Sequence, residues 1–324
     1  MTEIFAADDD VAYAARVRGG VGSLGGAFFL SAQAKQASKD LGLRGWPTYF
    51  VGRCGVLGPV DADVVTAVCG FFPETFIEKA WSEAREVDLT LAVEVYLLAC
   101  QQWGRQHLAS FGQVDRLAEL TELVVDRTPS IGAPLFAGWR SLPRSDDAPA
   151  RVAQLMTTLR ELRGAMHLAA VMASGLTPRE AIVSGPGGSA NASFFGWTDV
   201  EIEDERFEFV ASARLDAERK TDRMMTTSWL TLDLSERAEF ATLLDRAVAA
   251  GDDGLALMKQ GKQAEATARF DEAASSFDTA TGLVSGPWNW PSALVPGVAR
   301  QPIALTGLAS GGASVAHSVS DTAR

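Results

Sequence analysis

Arg163 and His167 stand four positions apart in the run LRGAMHLAA (162–170), so on a helix they share one face. A guanidinium beside an imidazole suits an anionic small molecule: the arginine holds a carboxylate or phosphate while the histidine gives or takes a proton. A second set lies in LGLRGWPTYFVGRCGVLGPVDADVV (41–65), where Trp46 and Tyr49 offer apolar contact and Arg53 a further anion donor. In RLDAERKTDRMM (214–225), Glu218 and Asp222 sit one turn apart with Arg214 and Arg219 nearby. Two such carboxylates can join a histidine of a neighbouring helix around a metal. The flanking arginines and the lack of a Glu-x-x-His pair favour a salt-bridge lattice instead, so no metal ligand is assigned. His167 and Arg53 are thus the candidate catalytic residues, and Trp46, Tyr49, Arg163 and Asp222 the candidate substrate-binding ones. Against this stands the commoner fate of a lone histidine on an apolar helix, which is to pack in the core.

The stretch beginning at His167, HLAAVMASGLTPREA (167–181), carries its own local code. Gly175 ends one helix; Thr177 as N-cap, Pro178 at the first helical position and Glu180 at the third form a capping box that starts the next. The result is a helix-turn-helix-like hairpin. Reading DNA with it would require a recognition helix whose side chains reach phosphates and base edges. Here that helix offers Arg179 alone and runs into SGPGGS (184–189) within two turns. The glycines there can form a nest for an anion, but they lack the lysine and spacing of a phosphate loop, and a connector before the aromatic FFGW (194–197) is the plainer reading.

The elements that must hold these residues read as helices throughout. The 324-residue chain is 47% hydrophobic and 22% charged, a globular composition with material for one large core or two smaller ones. Its 29 basic against 41 acidic residues give a net charge of -12, which disfavours general attraction to nucleic acid or anionic lipid. Cys54, Cys69 and Cys100 match neither a disulfide framework nor a zinc motif, so reduced thiols are expected. The acidic start MTEIFAADDD is unlike a secretory signal, and the most apolar window, 89–100, is too short to span a bilayer and contains Glu94. A cytoplasmic protein is the expectation.

Apolar spacing predicts helices over 74–82, 88–110, 113–127, 131–141, 149–174, 178–184, 204–229, 235–250 and 254–283, and a long or broken helix over 8–40. Residues 41–65 read as an ordered loop, with Asp61 or Asp63 capping the helix that follows; Ser235 reads as an N-cap. Gly19, Gly20, Gly22, Gly25 and Gly26 would each cost a helix about 1 kcal/mol against Ala, so they mark close helix contact or backbone approaching a ligand. LPRSDDAPA (142–150) is the clearest linker. It divides an N-terminal half (1–141) from a C-terminal half (151–283), beyond which 284–324 form a Pro-, Gly- and Ser-rich tail. LGGAFFLSA (24–32) echoes LRGAMHLAA (162–170), which suggests a repeated helical unit.

The runs carrying Tyr49, Phe50, Gly52 and Arg53, then Arg163, Gly164 and His167, then Thr221 and Asp222, resemble a family of actinobacterial all-helical proteins described as helix-turn-helix, some encoded beside natural-product genes. The resemblance covers roughly 10–250. It implies a helical fold and a setting in specialised metabolism; it implies no reaction, cofactor or substrate. Relatives carry a polar residue, typically His, where this chain has Gly-Gly-Ala-Phe-Phe, so a site using both echoed helices would be altered here.

Together these readings describe an all-α, multi-helix bundle of two related halves, with a pocket between them for a small molecule bearing an anionic group. Binding alone and binding with conversion both stay open, and no motif names a cofactor. A helix-turn-helix DNA-binding regulator is the alternative, and a scaffold dimerising through its glycine-rich helices is a third.

Overall fold

Caps and breakers cut the chain where elementary rules place them. The computed structural model describes residues 8–251, and among them every regular element is helical. In order these are α1 (Asp8–Gly26), α2 (Ala32–Asp40), α3 (Trp46–Cys54), α4 (Ala62–Val68), α5 (Glu74–Glu83), α6 (Leu89–Leu108), α7 (Val114–Arg127), α8 (Pro134–Ser141), α9 (Ala148–Ala173), α10 (Pro178–Val183), α11 (Gly188–Phe194) and α12 (Phe207–Trp229). A further helix, α13, occupies 234–251. The expected helix over 254–283, the tail 284–324 and His317 lie outside the described residues.

α9 is the axis of the molecule. From Ala148 to Leu162 nearly every residue is buried, polar ones included, because α1, α6, α7, α8 and α12 all pack around it. Its buried threonines and Gln154 find partners: Thr157 and Thr158 donate to the Ala153 and Gln154 carbonyls at 2.9 Å each, and Gln154 accepts from Gln101 at 3.0 Å. The 142–150 segment therefore joins two consecutive helices of one core, with α9 packed on helices from both sides of it.

The glycines divide into two groups. A Cβ on Gly25 would lie 2.5 Å from the Met156 carbonyl oxygen, and one on Gly104 2.3 Å from that of Pro149, so α1 and α6 touch α9 where no side chain fits. Gly20 meets Leu244 of α13 in the same way. Gly19, Gly22 and Gly164 have open space at that position. Of the echoed runs, Leu24 and Leu162 are both buried, but Ala27–Leu30 tighten into a 3-10 turn while 165–168 continue α9 as α-helix.

Two local expectations are corrected. Residues 46–54 form a helix rather than a loop: Gly45 turns at φ +68°, Pro47 occupies the first turn without needing its missing N–H, and Trp46, Phe50 and Arg53 recur at helical spacing. The cap of α13 is Asp233, whose carboxylate accepts from the Glu236 N–H at 2.8 Å while Glu236 accepts from the Asp233 N–H at 3.0 Å; Ser235 lies within the first turn and donates to Asp233. Asp61 does stand at the N-cap position of α4. The capping box at Thr177 is present in full: the Glu180 N–H donates to Thr177 Oγ1 at 3.2 Å and the Thr177 N–H to Glu180 Oε2 at 2.9 Å.

Candidate functional site

The burial of α9 breaks at one place. Leu162 is buried, residues 163–168 are half-exposed, and Ala170 and Val171 are buried again in a small second core with Leu176, Val210, Ala213 and Ala217. Between the two cores, α9 looks into a cavity of about 320 Å³. Arg160, Arg163, Gly164 and His167 of α9 form one wall, and Arg214 and Glu218 of α12 line it as well. Tyr49 and Arg53 of α3, Cys69 after α4, and the α10–α11 turn at Gly185 and Pro186 complete it.

His167 is held in a defined state. Thr221 Oγ1 donates its proton to the Ala217 carbonyl at 2.7 Å, so at its 2.9 Å contact with His167 Nδ1 it can only accept. Nδ1 therefore carries the ring proton and Nε2 keeps a free lone pair, 3.9 Å from Glu218 Oε1. Phe71 stacks on the ring at 5.7 Å. Burial lowers the imidazole pKa; Glu218 opposes this, and Arg163, Arg214 and Arg18 reinforce it, so the ring is neutral at pH 7.

Glu218 is the acid of this wall. Burial works to raise its pKa, but Arg163, His167 and Arg18 together hold it below the usual carboxylate range. Arg163 Nη2 donates to it at 2.7 Å, while Arg163 Nε is buried without a protein partner. Asp222 turns away from the cavity and accepts from Arg18 at 2.5 Å; burial outweighs that arginine and raises its pKa. The two carboxylates of α12 thus belong to an arginine lattice, with Asp222 outside the cavity lining.

Arg53 differs from expectation. It is buried with its guanidinium in a bidentate pair with Glu161 of α9, Nε to Oε1 at 2.8 Å and Nη2 to Oε2 at 2.7 Å, and Nη1 donates to Tyr49 Oη at 2.9 Å. Burial alone would raise the Glu161 pKa, but Arg53 brings it below its ordinary value. With its charge matched by Glu161 and each of its three nitrogens hydrogen-bonded within the protein, Arg53 is a positioning residue that fixes Tyr49. The other arginines of the lining are Arg160, Arg163 and Arg214; the sequence marks Arg163 as a binding residue and Arg214 only as a neighbour of Glu218 and Asp222, and it gives no sign of Arg160. Four arginines line the cavity and two glutamates, Glu161 and Glu218, pair with them, so this pocket is locally cationic in an acidic chain.

Arg53 Nη1 also lies 3.2 Å from Cys69 Sγ, which is 3.4 Å from Cys54 Sγ. Hydrogen bonding from Cys54 and the charge of Arg53 lower the Cys69 pKa against burial; the same contact and burial push the Cys54 thiol well up.

Trp46 lies outside this cavity, edge-on to Tyr49 at 5.3 Å and within 5.1 Å of Phe72 and Phe194 ring centres. It lines a second, larger groove of about 880 Å³ that shares Gly22, Tyr49, Arg160 and Phe195 with the inner cavity. Trp197 Nε1 donates to the Phe71 carbonyl at 3.0 Å, so the FFGW run anchors the segment that follows the α9–α10 hairpin beside both.

The hairpin itself is tied into the fold. α10 has six residues, its Glu180 is buried and accepts from Arg206 at 2.5 Å, and Arg179 donates to the Glu201 carbonyl at 3.0 Å while pairing with Asp199. Among the described residues no helix is long and apolar enough to cross a membrane.

No curated protein and no solved structure matches the chain significantly. The family model described as Helix-turn-helix family matches residues 14–257, which takes in the whole cavity and its hairpin. With most of its length matched, the chain belongs to this helix-turn-helix family.

Proposed function

We propose that the protein is a cytoplasmic small-molecule-binding protein whose inner cavity holds an anionic group against Arg160, Arg163 and Arg214 and presents it to neutral His167. The observation that carries this reading is the pairing of a lone-pair-bearing Nε2 with an unpartnered Arg163 Nε in one cationic cavity. A neutral imidazole in such a place accepts a hydrogen bond from a ligand hydroxyl or amine, or takes its proton as a general base. Glu218 then stabilises the imidazolium that forms. Whether the ligand is converted depends on its own chemistry; the resemblance noted above favours a role in specialised metabolism.

The test uses Gly164, whose Cβ position is open, so a larger side chain there fills the cavity without crowding the helix. A panel of phosphate, benzoate and α-hydroxy acids is screened by thermal shift on the full chain. A ligand at 100 times its Kd adds about 2.7 kcal/mol, a rise of several degrees. The rise is expected in the wild type and absent in Gly164→Leu; equal rises in both place the ligand elsewhere.

The family description favours a second reading, a DNA-binding regulator. The short α10 and the engaged Arg179 weigh against it. A salt-sensitive gel shift on duplex DNA that Arg179→Ala removes would establish it.

A further inference from the structure

The outer groove asks for a different kind of ligand surface. Phe29, Leu30, Trp46, Phe194 and Phe195 give it an apolar body, and Leu30 and Phe194 are left 70% and 49% exposed. Lys35 and Lys39, one turn apart on α2, and Arg44 just beyond stand on its rim. All three are exposed, and none has a carboxylate within ion-pairing range among the described residues, although the chain carries a net charge of -12. Asp40, the nearest acid in sequence, accepts from Gln36 at 2.7 Å.

Two residues of the lining, Tyr96 and Thr48, 1% and 2% exposed, carry buried hydroxyls without a protein partner, Tyr96 Oη and Thr48 Oγ1. Such groups rarely stay unpaired, because losing water without a replacement is costly. The inner cavity adjoins through the shared wall of Gly22, Tyr49, Arg160 and Phe195, with Arg160 lying 4.6 Å over the Phe29 ring.

We infer that the ligand of this protein is an elongated anionic amphiphile. Its charged end pairs with Lys35, Lys39 and Arg44, and its apolar body lies along Phe29, Trp46 and Phe194. A hydrogen-bonding group along its length meets Tyr96 and Thr48, and its far end reaches the inner cavity past Tyr49 and Arg160. This inference rests on the small-molecule reading above and adds the shape and second anionic group of that molecule. The concave, aromatic-walled form of the groove favours a single enclosed molecule over a bilayer surface.

The test is calorimetric titration of the full chain with decyl phosphate below its micelle concentration, against decanol and inorganic phosphate. Decyl phosphate is expected to bind at least about ten-fold more tightly than either, since it alone satisfies both rim and wall. Lys35→Glu/Lys39→Glu, on exposed positions where folding is indifferent, is expected to weaken decyl phosphate on the order of ten- to a hundred-fold and leave decanol unchanged. Decyl phosphate binding no better than decanol, or indifferent to the charge reversal, overturns the inference. So does charge-dependent sedimentation with phosphatidylglycerol-containing vesicles in the absence of decyl phosphate binding, which would make this face a membrane-docking surface. Failure of the inner-cavity reading shows separately, as decyl phosphate binding and thermal shifts that Gly164→Leu leaves untouched.

Discussion

Glu161→Gln is expected to be the most damaging conservative change in the site. It keeps the side-chain shape but leaves the Arg53 guanidinium buried without a counter-charge, and turns an amide N–H toward one of the two donors now received at 2.8 and 2.7 Å. The side chains are 1% and 9% exposed, so water cannot substitute. Removing one partner of such a pair costs about 3–5 kcal/mol, whereas replacing both by apolar groups is often close to neutral. In urea, a loss of that size lowers the midpoint by about 1 M or more. The double variant Arg53→Met/Glu161→Leu is expected to recover most of it. The Glu161 pKa is depressed in the fold from an ordinary 4.5, so its contribution is present above that value and lost as pH falls through the folded pKa. The gap between wild type and Glu161→Gln therefore narrows below about pH 4.5. A loss under about 1 kcal/mol at pH 7, or a double variant as unstable as the single one, would refute the reasoning.

Gly104→Ala and Gly164→Ala make opposite changes on paper-identical chemistry: the first forces a Cβ to within 2.3 Å of the Pro149 carbonyl and is expected to cost about 1–3 kcal/mol, while the second enters open space and stabilises by up to about 1 kcal/mol. Nitrogen-15 NMR of histidine-labelled protein, assigned with His167→Gln, is expected to show His167 neutral at pH 7 and protonated on Nδ1; an Nε2-protonated ring would break the Thr221 argument. Because burial lowers the His167 pKa, the unfolded chain takes up the proton first, so this residue withdraws stability as pH falls below 6.5, and His167→Gln flattens that slope. All three cysteines are buried, so native protein is expected to react slowly with a thiol reagent, Cys69 ahead of Cys100, whose thiol burial pushes up to about 12; mass spectrometry of trapped peptides gives the order.

Much of this fold was legible because its helix ends are written locally. Thr177, Pro178 and Glu180 specify a start within four residues, and Pro73 forces one before α5. α3 was missed because its glycines and proline outweighed the spacing of Trp46, Phe50 and Arg53; Pro47 at a helix start was the signal to weigh. The site was half legible. Arg163 and His167 share a face and a cavity as their spacing implied, and Tyr49 joins them. Glu161 was not, since its partner is 108 positions away; its only trace was that it is the one carboxylate of the long helix α9. Arg53, read as an anion donor, proved committed to that carboxylate, which no local pattern could reveal. The rim of Lys35, Lys39 and Arg44 also went unread, because lysines on a short polar helix look like ordinary solvated charge.

The central claim is that a small anionic molecule sits against His167 in the inner cavity, and native mass spectrometry of the freshly purified 324-residue chain tests it most directly. The account predicts a small-molecule adduct on the wild type that collisional activation strips away, and its loss in both His167→Ala and Gly164→Leu. An adduct retained in both variants, or a wild type that is empty and fails to take up any of the anions of the thermal-shift panel, would contradict it.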